Sequence, residues 1–160
     1  MIIAGIGLIA FRDPKGIRPL VLGKNKNSFL IASESSAISA MGYKFDGDIK
    51  PGQAIIIDEK GIIDKKRPMK GSSNRPCLFE YVYFSRPDST IDEISVHKSR
   101  LRMGDFLGEK ILNGYENIDV DVVIPVPDTS RTSAMQVAYK LVNKLSSLLA
   151  DLPGRRNGSI

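Results

Sequence analysis

The sequence predicts a mixed chain in two parts: an α+β region of mainly antiparallel strands, then an α/β region built on a parallel sheet. Three observations predict it. Up to about residue 64, short apolar runs rich in β-branched residues alternate with turns marked by proline and glycine, the pattern of closely connected strands. From Asp92 onward, two long stretches carry apolar residues at helical spacing. Between them lies Val120–Val126, a continuous apolar run suited to a strand buried on both faces. Helix, buried strand, loop and helix in that order make an α/β unit.

Taken along the chain, Ile2–Phe11 is apolar and too broken by Gly5 and Gly7 for a helix, so a strand is expected. Asp13-Pro14-Lys15-Gly16 places proline and glycine where a tight turn uses them, and Pro19–Leu22 resumes the apolar run. A hairpin across that turn is the natural reading. Ser28–Ala32 is a further strand. Ser33-Glu34-Ser35-Ser36 offers hydroxyl caps to a short helix through Ala37, Ile38 and Met41, stopped by Gly42. Strands follow at Gln53–Ile57 and Ile62–Asp64.

The stretch from about 65 to 76 is basic, aperiodic and rich in Gly, Ser and Pro, as expected of a boundary. Aromatic-rich Cys77–Phe84 and the turn Arg86-Pro87-Asp88-Ser89 come next. A helix is expected over Asp92–Leu112, with Val96, Met103, Leu107 and Ile111 on one face and Gly114 closing it. A second helix is expected from near Thr132, with Ala134, Val137, Ala138, Leu141, Leu145 and Leu148 on its face.

Composition bounds the function. The 160 residues are 42% hydrophobic and 26% charged, a globular balance able to bury a core. One cysteine, Cys77, excludes an internal disulfide framework and fits a reducing, cytoplasmic setting, with a buried thiol as the default. The apolar N-terminus ends at Arg12, far short of the roughly 20 residues a membrane span needs, so no membrane partner is expected. The net charge of +5 suits anions, but the bases are scattered and no basic–aromatic alternation runs through them. No nucleic-acid partner is expected either.

Few residues carry chemistry. Gly5-x-Gly7-x-x-Ala10 resembles a dinucleotide fingerprint, but no helix follows the glycines, so close strand packing is the better account. His97 is the only histidine, and with one cysteine it makes no zinc site or Cys-His pair; an inert helix-surface position is expected. Pro127-Asp128-Thr129-Ser130-Arg131 follows the expected strand and leads into a helix, at the carboxyl end of the sheet where ligands bind. Its hydroxyls and the helix amides can receive phosphate oxygens, Arg131 can neutralise charge and Asp128 can help hold a divalent cation. The same residues are also ordinary helix caps.

Several motifs, in order, resemble one family, the amidophosphoribosyltransferases. Ala10-Phe11-Arg12-Asp13-Pro14-Lys15-Gly16-Ile17-Arg18-Pro19-Leu20-Val21-Leu22-Gly23 is similar to a stretch late in the family's glutaminase domain. Ala32-Ser33-Glu34-Ser35 and Pro51-Gly52-Gln53-Ala54 follow at family-like spacings. Pro76-Cys77-Leu78-Phe79-Glu80-Tyr81-Val82-Tyr83-Phe84-Ser85-Arg86-Pro87-Asp88-Ser89 resembles its interdomain signature. Val122-Val123-Ile124-Pro125-Val126-Pro127-Asp128-Thr129-Ser130-Arg131 resembles the opening of its transferase domain.

The resemblance implies a glutaminase of N-terminal-nucleophile type, an α/β/β/α sandwich, here only in part, followed by the start of a type I phosphoribosyltransferase α/β domain. It implies residues 1–75 as the later part of the glutaminase, 76–145 as interdomain segment and transferase start, and 146–160 as a divergent tail. The family transfers glutamine-derived ammonia to phosphoribosyl pyrophosphate, giving phosphoribosylamine in the first step of de novo purine synthesis. Its pyrophosphate loop falls on Asp128, Thr129, Ser130 and Arg131, and its magnesium ligand in that loop on Thr129. A homo-oligomer is implied for the intact enzyme.

The family's N-terminal cysteine nucleophile has no counterpart, because the chain opens Met1-Ile2-Ile3. No catalytic residue is therefore expected, and the chain is read as an internal piece inactive by itself. One cysteine cannot hold the iron–sulfur cluster of some members, so none is expected. Ser146–Ile160 does not resemble the family and fits a shifted or truncated reading frame, with its last residues poorly ordered. Unpaired strand edges would favour association. The readings from other classes are a non-catalytic phosphate- or nucleotide-binding module and the relic of a broken gene.

Overall fold

Nine strands, three α-helices and one π-helical turn make up a computed structural model that describes residues 1–61, 63–66, 68–114 and 120–150, the side chains of 143–150 excepted. The chain forms two compact units, Met1–His97 and Lys98–Ile160.

In the first unit, β1 (Ile2–Ile3), β2 (Gly7–Phe11), β6 (Ala54–Ile57) and β7 (Ile63–Lys65) make one antiparallel sheet, in the order β1-β2-β6-β7. A second antiparallel sheet has the order β4-β3-β5, from β3 (Val21–Lys24), β4 (Phe29–Ala32) and β5 (Lys44–Asp48). Alternation of side chains along a strand puts one face of each sheet inward. Leu8, Ala10, Ile55 and Ile57 from one sheet meet Leu22, Phe29 and Ile31 from the other and Leu20 just before β3, with Ile49 fully buried among them. Helix α1 (Ser35–Ala40) packs on the second sheet, against β3, β4 and β5, through Ile38, which is also fully buried. The strand-rich, antiparallel first part is therefore observed as expected.

Three local readings are corrected among the two sheets and α1. The segment 2–11 is two strands joined by a turn, not one. No hairpin spans Asp13–Gly16, because β2 and β3 belong to different sheets and the turn carries the chain between them. The start of α1 has no side-chain cap; its serines are drawn off to the segment after residue 85, as described below. The basic stretch at 65–76 is tied to the turn after β2, where the amides of Ser73, Arg75 and Cys77 donate to the carbonyls of Pro14, Lys15 and Ile17 at 2.7–2.9 Å. Cys77 itself is only half-buried.

Beyond the π-helical turn (Glu80–Phe84), β8 (Thr90–Ile91) and β9 (Ile94–Ser95) form a small hairpin. The expected helical start at Asp92 is corrected: Asp92 and Glu93 turn that hairpin with φ of 46° and 66°, a conformation no α-helix contains. Helix α2 then runs Val96–Gly114.

In the second unit, α2 meets α3 (Arg131–Ala150). The apolar face read for α2 is corrected in part. Val96 is buried, but Leu107 is half exposed, and the buried positions along the helix are Arg100, Gly104 and Gly108. A methyl group on Gly104 would stand 2.5 Å from the Ser133 carbonyl, and one on Gly108 would stand 3.0 Å from the Lys140 side chain. The helices touch where the residues are smallest. Val137 is buried on α3 as expected, whereas Leu145 and Leu148 lie outside the described side chains. The tail after residue 150 is likewise outside the described residues.

Residues 120–126 do not form the expected buried strand. Val122, Ile124 and Val126 are 66%, 78% and 75% exposed, and the segment pairs with no strand among the described residues. An apolar run makes a sheet centre only if neighbouring strands are there to flank it.

The glycine contact predicts an inversion of helix propensity. Gly104→Ala is expected to destabilise the second unit by about 1–3 kcal/mol in urea unfolding, through overpacking against backbone. Gly108→Ala, whose methyl would meet the Lys140 Cβ at 3.0 Å and no backbone atom nearer than the Val137 Cα at 3.7 Å, is expected to cost less. Equal effects would contradict this packing.

Candidate functional site

The loop before α3 is the candidate ligand contact. Val126 leads into a turn over residues 127–130, with a cis peptide bond between Pro127 and Asp128. The Ser130 hydroxyl donates to the Val126 carbonyl, closing the loop on itself. The Asp128 carboxylate pairs with the Arg131 guanidinium at 2.7 Å, both side chains being exposed. Thr129 and Ser130 are half-buried. All four residues expected at an anion site are thus brought together at one helix start, where backbone dipoles favour negative charge. In this structure Arg131 is engaged by Asp128.

Magnesium can be tested against this donor set. Among the described residues no group of three or more His, Cys, Asp or Glu side chains converges. A hydroxyl and one carboxylate already paired with arginine cannot form a closed cation cage. They do fit an ion that keeps most of its coordination from phosphate oxygens and water, the usual habit of magnesium.

Two polar clusters tie the first unit's motifs together. Arg12, with a side chain only 1% exposed, uses every donor of its guanidinium. Nε donates to the Arg18 carbonyl at 2.9 Å, Nη1 to the Ile49 carbonyl and Asp92, and Nη2 to the Gly16 carbonyl and Asp92. The Asp92 contacts, at 2.7 and 2.8 Å, form a bidentate pair. Asn74 adds a donor to Asp92 at 3.1 Å, and the Asp92 amide donates to Asp48 at 3.2 Å. Hydrogen bonding from Arg12 holds the Asp92 carboxyl below the ordinary carboxylate range against the opposing effect of burial. Burial pushes Asp48 the other way.

In the second cluster, Glu34 accepts from the Arg86 amide at 2.8 Å and from the hydroxyls of Ser89 at 2.9 Å and Ser36 at 3.3 Å. The Ser35 hydroxyl accepts from the Thr90 amide at 2.8 Å. These serines join two distant segments and so are not free to cap α1. Nearby, buried Glu80 pairs with Arg18 at 2.7 Å and accepts from Ser85, and the Arg18 guanidinium lies 5.4 Å from the centre of the Phe84 ring.

Sequence reading missed both clusters as contacts. Arg12 and Asp92 are 80 residues apart; the only signal was that each lies in or beside a family-like motif. The remaining readings are simply placed. Gly7 lies against the Ile57 carbonyl, where any β-carbon would collide, as close strand packing requires. His97 is exposed on α2. Among the described residues no helix is long and apolar enough to cross a membrane.

Comparison with known proteins gives the chain its relatives. The chain is 50% identical over 141 residues to an amidophosphoribosyltransferase of Escherichia coli (strain K12). Homologues named amidophosphoribosyltransferase cover about 85% of this chain. A relative of the same name from Saccharomyces cerevisiae is 48% identical over 148 residues. These matches cover 85% and 88% of this chain but only 28% and 29% of the relatives, so the chain spans less than a third of their length. A glutamine phosphoribosylpyrophosphate amidotransferase from B. subtilis, solved with ADP and GMP, superposes with a TM-score of 0.72 at 35% identity, covering 84% of this chain and 28% of that one. No family model matches the chain. The mixed fold with antiparallel sheets agrees with the glutaminase part of these amidotransferases.

The opposed shifts of Asp92 and Asp48 set a pH signature. A lowered native pKa adds stability that is complete above the ordinary value of 3.8 and disappears as pH falls through the lowered one. The raised Asp48 acts in the opposite sense. The stability advantage of the native protein over Asp92→Asn, from urea unfolding at a series of pH values, is expected to shrink as pH drops below about 4. A gap independent of pH would contradict the Arg12–Asp92 assignment.

Proposed function

We propose that this chain supplies part of an amidophosphoribosyltransferase, which uses ammonia from glutamine to displace pyrophosphate from phosphoribosyl pyrophosphate and form phosphoribosylamine. The observation that carries the proposal is 50% identity over 141 residues to a curated enzyme of that name. In this reading residues 1–75 belong to the glutaminase sandwich, 76–145 cover the interdomain segment and transferase start, and 146–160 are a divergent tail. The intact enzyme acts in the cytoplasm as a homo-oligomer, on glutamine and phosphoribosyl pyrophosphate. The identity favours this reading over a free-standing phosphate-binding module.

The chain's own contribution to transfer is the loop at 128–131. Arg131 leaves Asp128 for a pyrophosphate oxygen, the hydroxyls of Thr129 and Ser130 orient that group, and the start of α3 adds its dipole. The Thr129 hydroxyl would help hold magnesium, which neutralises charge on the leaving pyrophosphate. Matching less than a third of its relatives' length, the chain in this reading catalyses neither half-reaction by itself.

Assays of the purified chain for glutamine hydrolysis and for phosphoribosyl pyrophosphate-dependent transfer are expected to read zero. Co-expression with the remaining segments of the Escherichia coli relative is expected to restore both. In that assembly Arg131→Gln is expected to weaken phosphoribosyl pyrophosphate binding about tenfold, the scale of one charge-assisted hydrogen bond. Glutamine hydrolysis by the isolated chain, or an Arg131 variant with unchanged affinity, would contradict the proposal.

A further inference from the structure

Away from that loop, the first unit carries a concentration of positive charge that its own carboxylates do not balance. Lys24 at the end of β3 and Lys44 at the start of β5 are direct cross-strand partners. Like charges placed opposite one another destabilise a strand pair. Lys26, in the turn closed by the Asn25 amide donating to the Ser28 carbonyl at 2.9 Å, brings a third ammonium to the same place. The three lysines line an open cleft of about 400 Å³ with Asn25, Phe45 and Asp46, within the size range of small-ligand clefts.

The cleft's one lining carboxylate, Asp46, already pairs with a fourth lysine, Lys65, at 3.2 Å. Three lysines thus line a cleft whose one carboxylate is already paired with a lysine outside it. A cross-strand lysine pair beside such a cleft is the electrostatic form of an anion site. Lys24 lies over the Phe29 ring, 5.7 Å from its centre, and Asp46 lies at the register shift between β3 and β5.

We propose that the cleft of Lys24, Lys26 and Lys44 binds a compact phosphate polyanion of the pyrophosphate class. The ammoniums reach separate oxygens as point charges, the Asn25 amide group adds a neutral donor, and the bound charge relieves the repulsion between Lys24 and Lys44. This site is independent of the loop at 128–131, with which it shares no residue.

The test is a titration of the ¹⁵N-labelled chain with sodium pyrophosphate in 150 mM salt, followed by amide shifts. Saturable shifts at Lys24, Lys26 and Lys44 are expected, about tenfold stronger than with inorganic phosphate. Lys24→Gln/Lys44→Gln is expected to weaken them at least tenfold, whereas Lys60→Gln/Lys70→Gln, with the same change in net charge, leaves them unchanged. Lys44→Glu is expected to abolish binding and raise the melting temperature, a pairing of effects that loss of folding cannot produce. Shifts confined to Thr129 and Ser130 would overturn this site while leaving the loop's role intact. Equal weakening in the control pair, or no saturable shift at all, would overturn it as well.

Discussion

A buried guanidinium with all five donors satisfied is the constraint on which the first unit is built. Arg12 can be buried only if every N–H meets an acceptor, because an unpaired cation away from water is costly. Its acceptors come from the turn after β2, the carbonyl beyond β5 and the hairpin at Asp92. Satisfying one side chain therefore brings together parts of the chain that are far apart in sequence. The turn is prepared for this role. Asp13 accepts from the amides of Lys15 and Ile17 at 2.9 Å, which shapes the loop so that the Gly16 and Arg18 carbonyls point back at Arg12.

The Glu34 cluster repeats this logic with hydroxyls. One carboxylate oxygen collects an amide and two serines, and so secures the segment 86–90 beside α1. The cost is visible at α1, whose start has no side-chain cap because its serines are engaged elsewhere. In the second unit the determinant is size instead of charge: Gly104 lets α2 approach the backbone of α3. The loop at 128–131 sits at the start of that same α3, placing the candidate anion contact on a packed helix while leaving Asp128 and Arg131 open to solvent.

Legibility followed the range of the interactions. The strands holding Leu8–Ala10, Ile55–Ile57 and Phe29–Ile31 were readable because short apolar runs bounded by turn residues are a local signal. The two long helices were readable for the same reason. The supposed hairpin at Asp13–Gly16 was misread because a turn sequence does not say which sheet its strands join. The packed face of α2 was misread because attention to large apolar residues passes over glycines. Residues 120–126 carry the composition of a central strand, but composition cannot supply neighbours. In the candidate loop the residues were singled out from motif and position; the Asp128–Arg131 pair became visible only in three dimensions.

Native-state hydrogen exchange on Arg12→Met tests the clamp most directly. The account predicts that the amides of Asp92 and Val96, which depend on the hairpin, open at a much lower free energy than those of Ile55 and Ile57 in the sandwich core. In the unaltered protein both sets are predicted to open together. If the hairpin and core amides still open together in Arg12→Met, Arg12 is not what holds these segments in one unit.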